Sequence, residues 1–266
     1  MNILVTGCNG QLGTEMRKIA ATDESHEWFF TDIDTLDICD ATAVDQAEDD
    51  KELAEKVNVQ APRLLAHACL RQGATLLHIS TDYVFDGQGD HPYREDEPTA
   101  PVSVYGRTKR DGELAIIDSG CHYVIVRTAW LYSSTGKNFV KTMLRLADTH
   151  DTVSVVCDQK GTPTWAGDLA QTLTLLIEKY RKGPVAEVFH FTNEGVTNWE
   201  DFAAAIFDLA GKPCKVLPIT TDQYPTRATR PAYSVLDKTK IKQALGIEIP
   251  HWRDSLAKCL EEFTIK

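Results

Sequence analysis

The chain has little of what marks metal sites, disulfide frameworks or membrane segments. Its seven cysteines include no CxxC pair, and its eight histidines show no HExxH or similar ligand spacing. We therefore expect free thiols and no catalytic transition metal. No apolar run is long enough to span a bilayer. The N-terminal MNILVTG lacks the basic start and apolar stretch of a secretory signal, which favours a cytoplasmic protein.

Positive charge is also scarce. The 28 Lys and Arg residues face 39 Asp and Glu residues, giving a formal net charge of −11. The net negative charge repels a nucleic-acid backbone and an anionic membrane, so we expect neither as a partner. It still allows an anionic small molecule, because single Arg or Lys side chains can hold one. The 266 residues, 42% of them hydrophobic, suffice for a soluble globular fold with a sizeable core.

Short β-rich runs alternate with helical patterns along most of the chain. Runs at 2–6, 75–80 and 122–128 are typical of strands, and helical spacing follows each of them. This alternation predicts an α/β fold with a Rossmann-type, doubly wound parallel sheet. The regular alternation of strands and helices ends after Asn193. We therefore predict an NAD(P)-binding domain over 1–193 and a mainly substrate-binding domain over 194–266.

Three further expectations concern single elements. One long helix is predicted from Asp45 to Gln72, closed by Gly73. A strand is predicted at 152–156 as part of the same alternation, and two short helices are predicted to end the chain. The apolar face of the long helix would consist of Leu53, Val57, Leu64, Leu65 and Ala68.

Three glycines follow the first predicted strand, in GCNGQLG. Gly7, Gly10 and Gly13 would allow a tight turn, close approach of the backbone to a pyrophosphate, and packing of helix on strand. Three glycines can also simply form a turn, but the strand before them and the amphipathic helix after them favour a dinucleotide site. Asp32, at the end of the second strand, would either accept from the adenosine ribose and favour NADH, or cap a turn.

A Tyr and a Lys share one helix face in the segment Tyr105-Gly-Arg-Thr-Lys109. The Lys ammonium would favour the phenolate and lower the pKa of the Tyr, which could then exchange a proton with a carbonyl or alcohol. This pairing alone is weak, because both residues are common on solvated helices. Thr81 strengthens it, since this residue ends the preceding strand, where ligands bind in open α/β sheets.

These motifs resemble those of the extended short-chain dehydrogenase/reductases, and more narrowly those of the dTDP-4-dehydrorhamnose reductases. The matching segments follow the family's order over nearly the whole chain. They are ILVTGCNGQLG, TAVDQAEDD, AEKVNVQAPRLLA, HISTDYVFDG, VYGRTKRDGE, VRTAWLY, DQKGTPTWAGDLA and RPAYSVLD.

The resemblance implies an activity and a set of roles. NADPH or NADH would reduce the 4-keto group of a dTDP-sugar in dTDP-rhamnose biosynthesis for cell-surface polysaccharide. Tyr105 would be the general acid, Lys109 would lower its pKa and hold the nicotinamide ribose, and Thr81 would bind the reacting oxygen. The remaining matched positions are the cofactor contacts Gly10, Gln11, Leu12, Asp37, Ile38 and Thr42 and the substrate contacts Asp82 and Trp130.

Several positions keep two interpretations. Asp82 could be a turn residue, Trp130 a core residue, and Arg230 part of an ion pair between domains. We favour substrate contacts for all three, with Arg230 binding the pyrophosphate. The family is also described with Mg²⁺ beside a dimer contact, and the resemblance therefore allows a homodimer. Glu15 is the candidate for such a structural ion, but an exposed helix Glu is the favoured interpretation, and we predict no metal in the chemistry.

Two other functions fit parts of the pattern. A nucleotide-sugar reductase or epimerase, or a dehydratase, would share the fold, but dehydratases usually carry an acidic residue after the Thr in a TDE-like pattern, where this chain has Thr81-Asp82-Tyr83. A regulatory subunit of methionine adenosyltransferase shares much of the pattern and acts by binding a partner. Turnover without net NAD(P)H consumption would indicate an epimerase or dehydratase. A pull-down that recovers the synthetase, together with no reductase activity, would indicate the regulatory subunit.

One segment departs from the family pattern. In LDICDATAVDQAEDD, the chain passes from Asp40 or Ala41 directly into TAVD, where relatives have a helix and a strand. The missing unit would be about 20–30 residues, by the size of a βαβ repeat. Its strand would lie directly beside the first strand in the 3-2-1-4-5-6 order. We therefore predict that the complete polypeptide contains this unit and that a discontinuity lies near Asp40 to Thr42.

Overall fold

Parallel strands joined by helices form the main layer of the fold. The computed structural model describes residues 1–32 and 41–264, without the side chains of 41–43 and 264. The strands are β1 (Asn2–Thr6), β2 (Glu27–Thr31), β3 (Thr75–Thr81), β4 (His122–Thr128), β5 (Leu131–Tyr132), β6 (Thr152–Val156), β7 (Lys160–Gly161), β8 (Thr164–Trp165), β9 (Ala186–His190), β10 (Thr197–Asn198) and β11 (Lys215–Ile219). The helices are α1 (Gln11–Ala20), α2 (Ala41–Asp49), α3 (Lys51–Glu55), α4 (Ala61–Gln72), α5 (Val104–Asp118), α6 (Phe139–Ala147), α7 (Ala166–Tyr180), α8 (Trp199–Leu209), α9 (Thr239–Leu245) and α10 (Trp252–Thr264).

The main layer has two parallel parts. β1 pairs with β2, and β3, β4 and β9 pair in that order, all in parallel register. Apolar side chains from both parts meet in one cluster that includes α1 and α7, with Val5 of β1, Phe30 of β2 and Ile79 of β3 in contact with it. Parallel strands with helical crossovers confirm the predicted α/β class.

The segment that carries Tyr105 and Lys109 has the predicted bounds. Helix α5 spans Val104–Asp118, and the strand after it, β4, spans His122–Thr128. Ser103 caps α5, because its hydroxyl accepts a hydrogen bond from the backbone N–H of Gly106 at 3.0 Å. The strand at 122–128 was predicted from the sequence, whereas the Ser103 cap was not.

The predicted long helix from Asp45 to Gln72 is wrong in detail. Asp50 interrupts it, because its carboxylate accepts from the backbone N–H of Leu53 at 2.9 Å and starts a new helix there. A π-helical turn, Lys56–Gln60, then joins α3 to α4, which ends as predicted at Gly73 in the left-handed conformation (φ 63°).

The predicted apolar face of this segment is also wrong. Leu53, Leu64 and Leu65 are exposed, whereas the buried positions are Ala54, Asn58, Val59, Pro62 and Ala66. The reason is the close approach of α5. A Cβ on its Gly112 would lie 2.0 Å from the carbonyl oxygen of Asn58, so only small side chains fit between the segments.

A second group of elements lies around β6. This strand pairs in parallel with β11, which the sequence did not predict, rather than with β3, β4 or β9. Their shared core includes α6, α8 and α10, and α10 has 13 residues rather than being short. The division at residue 193 stays a prediction, and β6 pairs across it with the C-terminal part.

The thiols follow the sequence expectation. All six cysteines in the described ranges are free. Within the same ranges, no helix is both long and apolar enough to cross a membrane.

Candidate functional site

The glycine turn between β1 and α1 has the geometry of a phosphate cradle. Gly7 adopts a left-handed conformation (φ 67°), which favours glycine. A Cβ on Gly13 would lie 2.5 Å from the Cα of Cys8, and one on Gly10 would lie 3.3 Å from the carbonyl oxygen of Gly7. The turn is thus as compact as close approach to a pyrophosphate requires.

The N-terminus of α1 offers backbone donors to that cradle. Gly10 is its N-cap and supplies no side-chain hydrogen bond, so the first N–H groups of the helix can bind an anion. The side chain of Gln11 has a different role, because its Oε1 accepts from Asn138 Nδ2 at 2.9 Å. Leu12 is half-buried and packs against the sheet cluster. Gln11 and Leu12 can therefore contribute their backbone to a dinucleotide, and the residues fit the predicted cofactor.

Asp32 lies beside the same turn. Its Oδ2 accepts from the backbone N–H of Asn9 at 3.1 Å. This is the turn-capping role that the sequence left open. A contact to the adenosine ribose stays a prediction, as does a preference for NADH.

Three predicted cofactor contacts have no described side chain. Asp37 and Ile38 lie outside the described residues, which resume at 41. Thr42 belongs to α2, but its side chain is outside the description. The predicted discontinuity near Asp40 falls at the same boundary and stays a prediction.

Thr81 is the last residue of β3 and Asp82 follows it; both are buried. Thr81 Oγ1 donates to Asp82 Oδ1 at 2.9 Å. Burial raises the pKa of Asp82 to about 6, against the opposing effect of hydrogen bonds from Thr81 and Ser234. No donor among the described residues meets Asp82 Oδ2 at hydrogen-bonding geometry. A substrate contact at Asp82 stays a prediction.

Tyr105 and Lys109 lie on α5, and each is 2% exposed. The ring of Tyr105 meets that of Tyr83 edge-on, with centroids 5.6 Å apart. Lys109 Nζ donates to the carbonyl oxygen of Ile79 on β3 at 2.8 Å and lies 3.4 Å from His78 Nε2. Burial, and then the Lys109 charge, hold the pKa of His78 well below its usual value, so His78 is a neutral acceptor. The ammonium is thus fixed beside the strand that ends at Thr81.

Gly106 allows this arrangement. A Cβ at Gly106 would lie 2.1 Å from the carbonyl oxygen of Tyr83, in the turn that follows Thr81. The helix with Tyr105 and the turn with Asp82 are therefore in direct backbone contact. The sequence showed Gly106 between Tyr105 and Lys109 but gave no sign of this contact.

Arg230 forms the ion pair that the sequence kept as its second interpretation. Its Nη2 lies 2.8 Å from Asp45 Oδ2 on α2, and its Nη1 donates to the hydroxyl of Tyr83 at 3.1 Å. Arg230 therefore lies next to the turn after Thr81, facing Tyr83, which also contacts Tyr105. Asp45 and Tyr83 were missed as partners, although both stand inside the motifs TAVD and TDYVFDG.

Trp130 is half-buried and has a strained backbone. It is the non-glycine residue with positive φ (47°) in the described ranges, a conformation that often marks functional positions. Its ring stacks on that of Trp199, with centroids 3.6 Å apart. Gly161 makes room for it, because a Cβ there would lie 2.6 Å from the indole. A substrate contact at Trp130 stays a prediction.

The expectation that Glu15 is exposed is wrong. Glu15 is 4% exposed and accepts from Lys18 Nζ at 2.9 Å. Burial raises its pKa. The reason is that α1 is covered on this side by the C-terminal helix, whose Glu262 also pairs with Lys18.

Over residues 1–32 and 41–264, no group of three His, Cys, Asp or Glu residues is placed to hold a metal ion.

Comparison with known proteins decides the family. The family model described as the RmlD substrate binding domain matches residues 37–265. A dTDP-4-dehydrorhamnose reductase of Aggregatibacter actinomycetemcomitans is 40% identical over 283 aligned positions, covering 96% of each chain. This chain belongs to the RmlD family.

Solved structures of the family are also similar in fold. A dTDP-4-dehydrorhamnose reductase from Clostridium acetobutylicum shares 40% identity with a TM-score of 0.91, covering 99% of this chain and 100% of the other. A Bacillus anthracis reductase in complex with NADP shares 34% identity with a TM-score of 0.89, covering 98% and 99%. The Rossmann-type RmlD fold predicted from the motifs is thereby confirmed.

Proposed function

We propose that the chain reduces the 4-keto group of dTDP-4-dehydro-L-rhamnose to give dTDP-L-rhamnose, with NADPH or NADH as reductant. One observation carries the proposal. The buried face of α5 sets Tyr105 and Lys109 against the carboxyl end of β3, where Thr81 stands, in a fold that also has a glycine phosphate cradle. Membership of the RmlD family and the NADP complex of a relative support the substrate and the cofactor.

When bound, the cofactor would supply hydride to the carbonyl carbon. The residues of the chain stabilise the charge that develops on the carbonyl oxygen. The Thr81 hydroxyl hydrogen-bonds the carbonyl oxygen and orients it. Tyr105 transfers its phenolic proton to that oxygen as negative charge develops there. The Lys109 ammonium, held on the carbonyl of Ile79, stabilises the phenolate left behind. Burial excludes water from this proton transfer and strengthens each of these interactions.

Asp82 and Arg230 are the groups that we propose recognise the sugar nucleotide. Asp82 Oδ2 is suited to accept from a hydroxyl group of the sugar, because no donor from the described residues meets it. Arg230 can offer two N–H groups to a pyrophosphate oxygen. To do so it would exchange its contacts with Asp45 and Tyr83 for the ligand.

Replacing the proton donor tests the proposal. Tyr105→Phe should lower kcat for NADPH oxidation with the dTDP-4-keto sugar by about 10²–10⁴-fold, the usual contribution of a positioned general acid. Cofactor binding, measured by fluorescence titration, should persist because the ring remains. The matched control is Tyr224→Phe, since Tyr224 is 60% exposed. A Tyr105→Phe variant with near wild-type turnover would contradict the assignment, and turnover without net NADPH consumption would indicate an epimerase or dehydratase.

A further inference from the structure

Trp130 lies between β4 and β5 in a backbone conformation that a bulky residue rarely adopts. Its φ of 47° belongs to the left-handed region, which is unfavourable for a residue with a Cβ. Its carbonyl oxygen accepts from the backbone N–H of Thr164 at 3.1 Å, and the next residue, Leu131, is the register partner of Thr164 in β8. These contacts fix the backbone after Trp130, but they do not by themselves fix the direction of its indole.

Two contacts hold the indole ring itself. Trp199 stacks on it, with ring centroids 3.6 Å apart and ring planes 12° from parallel. Gly161 approaches the same ring so closely that a Cβ there would lie 2.6 Å from both Cε2 and Cζ2 of the indole. Trp199 is held in turn by Phe139, with ring centroids 4.7 Å apart. The indole of Trp130 is therefore fixed between an aromatic ring and a stretch of backbone without a side chain.

Both contacts come from one short ladder. β7 pairs with β10 in antiparallel register, with Gly161 opposite Thr197. Trp199 follows β10 directly, as the first residue of α8, and the side chain of Asn198 caps this helix. The register of the ladder therefore sets the distance between Gly161 and Trp199, and with it the slot for the ring of Trp130.

The same ladder also supports Asp82. The carbonyl oxygen of Lys160 in β7 accepts from the backbone N–H of Ser234 at 2.8 Å, and the hydroxyl of Ser234 hydrogen-bonds the carboxylate of Asp82. A Cβ on Gly161 would lie 2.8 Å from Ser234 Oγ. Gly161 thus leaves space for the hydroxyl that reaches Asp82 and for the indole of Trp130 at once. The two side chains that the motifs assign to the substrate share one support.

We propose that Trp199 and Gly161 are positioning residues of the reduction, which keep the indole of Trp130 in a single orientation where the sugar of the substrate binds. Without them the indole would occupy several rotamers, and the backbone of Trp130 would relax from its strained conformation. The sugar would then find the ring in place in only a fraction of the molecules, and its apparent affinity would fall by that fraction. This role rests on the proposed function, whereas the fixed orientation of the ring does not.

Steady-state kinetics with NADPH and the dTDP-4-keto sugar test the proposal. Trp199→Leu should raise the KM for the keto sugar about fivefold, because the ring is then in place in fewer molecules. It should leave kcat and the KM for NADPH within about twofold of wild type, because only binding of the sugar is weakened. Trp199→Phe retains an aromatic face for the stack and should restore most of the KM.

The matched control lies on the same helix. Phe207→Leu trims a side chain of α8 that is 3% exposed and belongs to the same core as Phe202. It should lower the melting temperature and leave the KM for the keto sugar unchanged. An unchanged KM in Trp199→Leu, or an equal rise in Phe207→Leu, would overturn the proposal.

A double-mutant cycle shows whether Trp199 acts through Trp130. Trp130→Ala should raise the KM for the keto sugar at least as much as Trp199→Leu does. Adding Trp199→Leu to Trp130→Ala should then have almost no further effect, because the ring that Trp199 holds is already gone. Effects of the two substitutions that simply multiply would mean that Trp199 does not act through Trp130, and would overturn the proposal.

Fluorine NMR measures the order of the ring without turnover. The chain has five tryptophans, and in protein labelled with fluorotryptophan the variant Trp130→Phe identifies the Trp130 resonance. This resonance should be single and sharp in wild type and in Phe207→Leu. It should broaden or split in Trp199→Leu and in Gly161→Ala, whose Cβ would displace the indole. A single sharp Trp130 resonance at the wild-type position in both variants would overturn the proposal.

The outcomes separate this proposal from the proposed function. If Trp199→Leu does not fold, Gly161→Ala decides by the same two measurements, a raised KM for the keto sugar and a disturbed Trp130 resonance. A wild-type chain that does not reduce the keto sugar, but whose Trp130 ring becomes disordered in the variants, would refute the proposed function and leave the ring contacts intact. Normal reduction by wild type, with an unchanged KM in both variants, would refute the positioning role and leave the proposed function intact.

Discussion

Asp82 shows how one residue can combine a cost in stability with a functional placement. Its carboxyl group is buried next to Thr81, and burial raises its pKa to about 6. A carboxylic acid in such a position is stable when neutral and costs free energy when ionised. Near neutral pH the protein thus carries a buried negative charge at the carboxyl end of β3.

The cost can be measured as a pH dependence. The pKa of Asp82 in the folded protein lies above its usual value of 3.8. Its stabilising contribution is therefore complete below pH 4 and is lost as the pH rises through about 6. Asp82→Asn should raise the free energy of unfolding at pH 8 by about 1–3 kcal/mol and change it little at pH 4, as measured by urea denaturation. The exposed Asp96→Asn is the control, and an equal effect of Asp82→Asn at both pH values would contradict the burial argument.

Helix α5 depends on Gly106 for its contact with the turn after Thr81. The backbone of Gly106 touches the turn after Thr81, where a Cβ would lie 2.1 Å from a backbone oxygen that cannot rotate away. Gly106→Ala should therefore displace the helix, lower the free energy of unfolding by about 1–3 kcal/mol and reduce kcat, because Tyr105 moves with the backbone. Thermal unfolding and the NADPH assay measure the two effects. The control is Arg107→Ala at the neighbouring exposed position, which should change neither the free energy of unfolding nor kcat. If Gly106→Ala also changed neither quantity, the backbone contact would be able to relax.

Elements were predictable where a local signal decided them. The four-residue spacing of Tyr105 and Lys109 placed them on a helix, as α5 does, and the apolar run at 122–128 predicted β4 with the correct bounds. The helix predicted over 45–72 failed because Asp50 caps a new helix and a π-turn follows. Neither feature disturbs a pattern of apolar residues. The strand β11 was missed because its sequence, KVLPI, contains a proline, and its partner β6 lies far away along the chain.

Two histidines, the buried His190 and the half-buried His78, affect the stability of the whole molecule in acid. Burial, and then a nearby positive charge, lower the pKa of His190 to about 3 and that of His78 well below its usual value. Such groups stabilise the fold above their unfolded pKa near 6.5, and this contribution is lost as the pH falls through the folded pKa. The free energy of unfolding should therefore decrease from pH 6.5 toward pH 4 through these two groups.

The contribution of His190 can be isolated by a difference. Urea denaturation of wild type and of His190→Asn, repeated from pH 7.5 to pH 4, should show that the variant loses less stability in acid. The amide can replace the hydrogen bond that His190 Nδ1 makes to the carbonyl oxygen of Tyr93. The exposed His150→Gln should follow wild type. Parallel curves for wild type and His190→Asn would mean that His190 is not a neutral buried group.

At the scale of the whole molecule, motifs predicted the residues of the candidate site but not the contacts among them. Tyr105 and Lys109 were proposed from four-residue spacing, and Thr81 from its place at a strand end. The pairing of Arg230 with Asp45 joins residues 185 positions apart, and no local pattern contains it. Glu15 was assigned to the surface because the sequence does not show that the C-terminal helix covers α1.

The stacked pair of Trp130 and Trp199 has an optical consequence. The two indoles lie 3.6 Å apart, nearly parallel at 12°, and come from opposite sides of residue 193. At that separation their electronic transitions couple, and the pair should give a split circular-dichroism signal that isolated tryptophans do not show. Because that signal depends on the relative angle of the two rings, it would report any change in the orientation of Trp130 relative to Trp199 at the start of α8.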